Sequence, residues 1–288
     1  MELTVNQVTM TFGKTRALDD VSCTFSSGSL IGLVGPNGAG KTTLLKILAT
    51  LLKPAMGTVT LDGEDILKHP DAMRKVLGYL PQEAAVYPNL TAIEFLSYMA
   101  SMKKIPKSYA EHQIIELMNM LHLTSTGKKY LSEFSGGMKQ RVSIACALLG
   151  NPKVLIVDEP TVGLDPKERI SLRNLLSECA KDRIVILSTH IISDIEAAAS
   201  KIIVLKQGSL IFDGSPEKLI SNAHGYVWEY TKKDGKNLSD FYGIISMVQR
   251  KDGVEIRQIS HKKPDIGALT VDATLEDACI YALEGDLL

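Results

Sequence analysis

The stretch GPNGAGKTT at positions 35–43 restricts this chain more than any other. It has the G-x-x-x-x-G-K-[ST] spacing of a phosphate-binding loop, or P-loop. The apolar run Leu30, Ile31, Gly32, Leu33, Val34 before it reads as a strand buried on both faces. Leu44, Leu45, Ile47, Leu48 and Leu51 after it recur at helical spacing. Strand, glycine-rich loop and helix in that order are the setting such a loop requires. Gly35, Gly38 and Gly40 let the backbone curl through Pro36, Asn37 and Ala39. The loop N–H groups and those of Lys41, Thr42 and Thr43 at the helix N-terminus then face an anion. Lys41 reaches the terminal phosphates of whatever is bound, and Thr42 offers a hydroxyl to Mg2+.

Composition sets the scale of the rest. At 288 residues, 45% hydrophobic and 23% charged, the chain suits one large domain with a smaller one. Lys plus Arg is 32 against 33 for Asp plus Glu, a net charge of -1, which leaves no electrostatic footprint for nucleic acid. The four cysteines, Cys23, Cys146, Cys179 and Cys279, form no C-x-x-C pair and read as small buried hydrophobes. The N-terminus lacks a basic segment followed by an apolar core, and no uninterrupted apolar run approaches the ~18 residues of a membrane span. A cytosolic chain is therefore expected, held at a membrane only through another protein.

The other candidate residues fall at the ends of short strands. Leu3 and Val5 alternate, slip near Asn6 and resume at Val8, Met10 and Phe12, the pattern of a bulged strand near a sheet edge. Phe12 at its end is either a core aromatic or a flat surface for a purine base. Gln82 follows the short strand 77–80 and Pro81, as a solvated loop residue or as an amide oxygen aimed at a metal or a water. From 83 to about 131 the pattern is helical, with capping-box pairs Thr91/Glu94 and Ser108/Glu111. FSGGMKQR at 134–141 opens another helix with Ser135, Gly136 and Gly137, although glycine there costs up to about 1 kcal/mol relative to alanine. A bare helix start with a hydroxyl is a second anion site, and the P-loop already provides one. The economical resolution is that it serves a nucleotide held by another copy of the protein.

The buried run 154–157 delivers Asp158 and Glu159 to the carboxyl edge of the sheet, where ligands of open α/β sheets sit. Asp158 suits a water-mediated hold on Mg2+, and Glu159 suits polarising an attacking water. Asp165, with Pro166 and Glu168, is a helix N-cap or a functional residue or both. His190 ends a third buried strand, 183–189, as a structural imidazole or a phosphate contact.

Taken together and in this order, Phe12, the P-loop, Gln82, Ser135-Gly136-Gly137, Asp158-Glu159, Asp165 and His190 resemble the nucleotide-binding subunit of an ATP-binding-cassette (ABC) transporter over about residues 1–215. The resemblance implies an α/β P-loop NTPase core: a mainly parallel sheet with flanking helices, an N-terminal antiparallel β subdomain and an inserted helical subdomain. It implies ATP and Mg2+ as ligands, Phe12 stacked on adenine, and Gln82 sensing both Mg2+ and the membrane partner. It also implies that the Ser135 loop closes on ATP in the facing subunit, with Glu159 as general base and His190 as the γ-phosphate switch. Phe134 and Met138 stand where the family's commonest signature, LSGGQ, has leucine and glutamine. The wording VYPNLT at 86–91 and TLEDACIYALEG at 274–285 is similar to the branch whose permeases export drugs, antibiotics, lipids or polysaccharides.

The expected organisation is an ATPase domain over 1–221, its helical subdomain at about 83–131, and a small α+β accessory domain over 222–288 for dimer contact or regulation. The expected activity is ATP hydrolysis coupled to transport, as a homodimer on the inner face of a separately encoded integral membrane permease. A soluble ABC-type ATPase acting on DNA or ribosomes would carry a coiled-coil insertion or a second cassette, and the sequence shows neither. A regulatory cassette without turnover would not need Glu159 and His190.

Overall fold

The computed structural model describes residues 1–83, 86–127, 129–161, 164–232 and 243–284. Residues 84, 85 and 128 of the expected helical block, and 233–242 and 285–288 of the expected C-terminal unit, lie outside these. From the N-terminus run β1 (Glu2–Phe12), β2 (Thr15–Ser26), β3 (Ser29–Val34), α1 (Lys41–Leu48), β4 (Met56–Leu61), β5 (Glu64–Asp65), α2 (Pro70–Arg74) and β6 (Leu77–Leu80). Then come α3 (Ala92–Met102), α4 (Lys107–Met120), α5 (Gly136–Leu148), β7 (Val154–Asp158), α6 (Pro166–Ala180), β8 (Ile184–Thr189), α7 (Ser193–Glu196), β9 (Lys201–Lys206) and β10 (Ser209–Gly214). The C-terminal part holds α8 (Pro216–Asn222), β11 (Val227–Lys232), β12 (Ile244–Arg250), β13 (Gly253–Ile259), β14 (Leu269–Thr270) and α9 (Leu275–Glu284).

Continuous apolar runs become the central sheet, of order β10-β9-β3-β8-β7-β6 and parallel except for the β9–β10 hairpin. Alternate residues of each strand feed two different cores. Ile31, Leu33, Ile156 and Ile186 pack with Leu44 and Leu48 of α1 and with the N-terminal sheet. Leu30, Val157, Val185 and Leu187 pack on the other face with Phe95, Leu117, Val142 and Leu172 of α3 to α6. Both faces are covered, which is why these strands carry no alternation.

The N-terminal sheet, β2-β1-β4-β5, is antiparallel and does alternate. β1 carries its bulge after Asn6, where Gln7 takes φ 49° and the register to β2 shifts. β1 lies next to the edge strand β2, and β4 returns to pair along its other side. The Thr91/Glu94 box forms as expected. The Ser108/Glu111 box does not: Pro106, with φ −56° and no N–H to satisfy, is the N-cap of α4, and Ser108 is already inside the helix.

The C-terminal sheet, β12-β13-β11-β14, closes a small cluster of Tyr230, Ile256 and Ala268. Helix α9 turns instead to the large core and buries Leu275, Ala278 and Cys279 there. Burial pushes the Cys279 thiol up to about 12, so it acts as a hydrophobe. Arg257 of β13 ties the two parts: its guanidinium donates to Asp277 of α9 at 2.6 Å, to the Asp272 carbonyl at 2.8 Å, and to Glu229. Burial alone would raise the Asp277 carboxyl, but Arg257 and the amide and hydroxyl of Thr274 outweigh it and hold the group below the usual carboxylate range.

Replacing Arg257 by Met strands the Asp277 charge and is expected to cost about 3 kcal/mol in urea unfolding. The sign with pH follows from the lowered carboxyl. The contribution is complete above the ordinary aspartate value of ~3.9 and disappears as pH falls through the folded-state value, so the gap between wild type and Arg257→Met should close in acid.

Candidate functional site

The loop after β3 curls into α1 through Gly40, whose φ is 103° and where a Cβ would lie 2.5 Å from the Ala17 carbonyl oxygen, so only glycine fits. Beside it is a cleft of about 460 Å3 lined by Phe12, Ala17, Asn37, Gly38, Ala39, Gly40, Lys41, Thr42, Thr43, Gln82 and Glu159. Phe12 is 48% exposed, which removes the core-aromatic reading and leaves its ring as part of the cleft wall. Lys41 is only 5% exposed. Its ammonium donates to the carbonyls of Gly35 at 2.7 Å and Pro36 at 3.2 Å and lies 3.6 Å from Glu159 Oε1.

The parallel register sets the far wall. Asp158 is the last residue of β7 and stands opposite Ser188 of β8, whose hydroxyl donates to Asp158 Oδ1. The next residue, Glu159, takes φ 47°, so it leaves the strand and does not continue its alternation. That turn is pinned by the Glu159 N–H, which donates to the Ser188 carbonyl at 3.1 Å and lies 3.2 Å from Ser188 Oγ. The Glu159 carboxylate thereby sits between Lys41 and His190, with His190 Nδ1 3.0 Å from Oε2. The loops beyond are locked together by Asp194, which accepts from the Thr161 hydroxyl at 2.6 Å.

A divalent cation fits this wall. Asp158 Oδ2 is buried with no hydrogen-bond partner among the described residues, and Thr42 and Gln82 line the adjoining cleft. Carboxylate, hydroxyl and amide oxygens are the donor set a hard cation takes. Ser188 and Ala17 were not among the residues singled out from sequence. The only signal for Ser188 is a polar residue breaking the apolar run of β8 two positions before His190.

Ser135, Gly136, Gly137 and Asp165 do not line the cleft. Ser135 caps α5, its Oγ accepting from the Met138 N–H at 3.3 Å, and it and Gly136 are exposed. Asp165 caps α6 in a box with Glu168, whose N–H it accepts at 2.8 Å. Glu168 also accepts from Arg141 at 2.9 Å. Phe134 is buried in the large core, where a leucine would serve equally, and Met138 packs against it.

A parallel sheet with a glycine-rich phosphate loop after β3 and two successive carboxylates at the end of β7, on the far side of β8, defines a P-loop NTPase core. The family model described as ABC transporter matches residues 18–162, and the chain belongs to that family. It is 33% identical over 286 residues to the probable multidrug ABC transporter ATP-binding protein YbhF of Escherichia coli, covering 93% of this chain and 49% of YbhF. The chain thus spans about half the length of that relative. It is 36% identical to the doxorubicin resistance ATP-binding protein DrrA of Mycobacterium tuberculosis, over 83% of this chain and 73% of DrrA. Among solved structures it resembles a dimeric ATP-binding cassette in a post-hydrolysis state bound to ADP and Pi, at TM-score 0.68 and 27% identity, covering 74% of this chain and 98% of that one. No described helix is long and apolar enough to cross a membrane.

The two glycines at the start of α5 separate packing from surface. A Cβ on Gly137 would lie 2.6 Å from Glu168 Oε2, whereas one on Gly136 meets nothing within 4 Å. Gly137→Ala should destabilise by about 1–3 kcal/mol through displacement of Glu168. Gly136→Ala should be neutral or stabilising by up to about 1 kcal/mol, since only helix propensity changes. Parallel denaturant melts of the two variants check the contrast.

Proposed function

We propose that this chain is the ATP-binding and ATP-hydrolysing subunit of an ABC transporter, acting as a pair of cassettes on the cytoplasmic face of a separately encoded membrane permease. The observation that carries the reading is the run of contacts from Lys41 through Glu159 to His190, of which Lys41 and Glu159 line the P-loop cleft. Phe12 stacks on adenine. The N–H groups of the loop and of Lys41, Thr42 and Thr43 hold the phosphates, and Lys41 exchanges its carbonyl partners for phosphate oxygens. Thr42, Gln82 and Asp158 hold Mg2+, which when bound neutralises phosphate charge. Glu159 takes the proton of the attacking water, and His190 positions Glu159 and contacts the terminal phosphate.

Ser135, Gly136, Gly137 and Asp165 then serve the nucleotide of the facing subunit. The dimeric cassette with ADP and Pi supports this pairing, and so does the exposure of Gly136, where an added Cβ would meet nothing within 4 Å among the described residues. Residues 1–221, with helices over about 83–131, form the ATPase domain, and 222–288 an accessory domain. Export of a drug-like or lipid-like cargo is the direction we assign, supported by the multidrug and doxorubicin-resistance relatives.

Glu159→Gln keeps the shape of the cleft and removes the base, so turnover should fall about 100-fold to 10,000-fold. ATP should still bind and hold a dimer visible by gel filtration; normal turnover would reassign the base. Lys41→Ala and Ser135→Arg should each be inactive alone, while a mixture regains activity through the one intact site of the mixed dimer. Activity that rises with total protein concentration would report the association step. Full activity of Ser135→Arg alone would remove the shared-site reading.

A further inference from the structure

Among the described residues, the buried side-chain polar atoms without a hydrogen-bond partner include Asp158 Oδ2 and the hydroxyl of Tyr79. These two belong to neighbouring strands. Tyr79 of β6 stands opposite Ile156 of β7, and Asp158 follows Ile156 by two residues, so both side chains leave the sheet on one face. Contacts agree: Tyr79 packs on the cluster that contains Val154, Ile156 and Leu44, the side on which α1 lies. Ser188, in register with Asp158, reaches Oδ1 from the opposite strand. Asp158 therefore stands between one strand whose hydroxyl already bonds it and another whose hydroxyl has no hydrogen-bond partner among the described residues.

An unsatisfied buried hydroxyl in such a layer is destabilising, and a phenylalanine of the same shape would avoid that cost. Burial and the negative charge of Asp158 push the Tyr79 phenol up to about 12, so it is a proton donor throughout the physiological range. The two atoms are not in direct contact, and a buried water takes about two to four polar partners. We propose that one buried water joins the Tyr79 hydroxyl to Asp158 Oδ2, making Tyr79 a second positioning residue of Asp158 beside Ser188. Tyr79 donates to the water and the water donates to the carboxylate. Held from both sides, the carboxylate keeps a free lone pair on each oxygen for the water shell of the cation. This rests on the reading of Asp158 as the residue that holds the cation.

The test uses the full chain with a non-hydrolysable ATP analogue and Mn2+ as probe, with free Mn2+ read by electron paramagnetic resonance. Tyr79→Phe should weaken Mn2+ about 10-fold, the lower end of losses from removing an outer hydrogen-bond partner of a metal site. Analogue affinity in EDTA should not change, since a merely structural defect would lower both. Unchanged Mn2+ affinity in Tyr79→Phe, with loss in Asp158→Asn, overturns the role of Tyr79 alone. Unchanged affinity in both variants overturns the reading of Asp158 as well. A high-resolution crystal structure of the wild type tests the same point without substitution. A water within about 2.7–3.2 Å of both atoms is expected; a dry gap, or Tyr79 bonded to another group, overturns the proposal.

Discussion

Val34 pairs with Thr189, Leu80 with Val157 and Asp158 with Ser188. Four parallel strands therefore run out almost level at one edge of the sheet, and the P-loop, Gln82, Glu159 and His190 are each the next few residues of one of them. Nothing else in the chain could bring together residues so far apart in sequence. β3, β7 and β8 are buried on both faces, so a shift of register by one residue in any of them would exchange its faces between the two cores and move the site residues it carries. The site is thus held by the same apolar packing that makes the sheet.

Within that frame the charges satisfy one another. The Lys41 ammonium has two loop carbonyls and a carboxylate around it, and the Glu159 carboxylate has Lys41 on one side and His190 on the other. A buried ion left alone would cost several kcal/mol. The arrangement avoids this by closing the lysine on its own loop. The left-handed backbone of Glu159 serves the same end, because an extended residue there would put its carboxylate through the sheet, away from Lys41.

Much of this was legible in the sequence because it is local or periodic. The P-loop between a buried run and a helical stripe, the uninterrupted apolar strands carrying Asp158 and His190, and the boxes at Thr91 and Asp165 depend on neighbours within a few residues. What was not legible depends on partners far along the chain. β1 shows its bulge in the slip at Asn6, yet only the return of β4 decides that it is interior. Gly137 is unexplained until Glu168 is seen against it. Ser188 reads as an ordinary polar residue until the register sets it opposite Asp158. The Ser108 pair has the right letters for a cap, but Pro106 takes the helix start first.

The C-terminal part illustrates the same limit and has a physical consequence for the site. The buried face of α9 lies on α8 and on β9 and β10 of the central sheet. That hairpin also supports the P-loop from behind. The Gly208 N–H at its turn donates to the Ala39 carbonyl at 3.0 Å. A Cβ on Gly35 would meet the Leu205 carbonyl oxygen at 2.3 Å. The backbone on which the phosphate loop rests is therefore the backbone on which α9 is packed, and Arg257 extends that packing to the outer sheet. With so little slack between loop and hairpin, displacement of the hairpin would be felt at the loop, because close-packed interiors transmit strain. A small domain attached by a loose linker would have no such leverage.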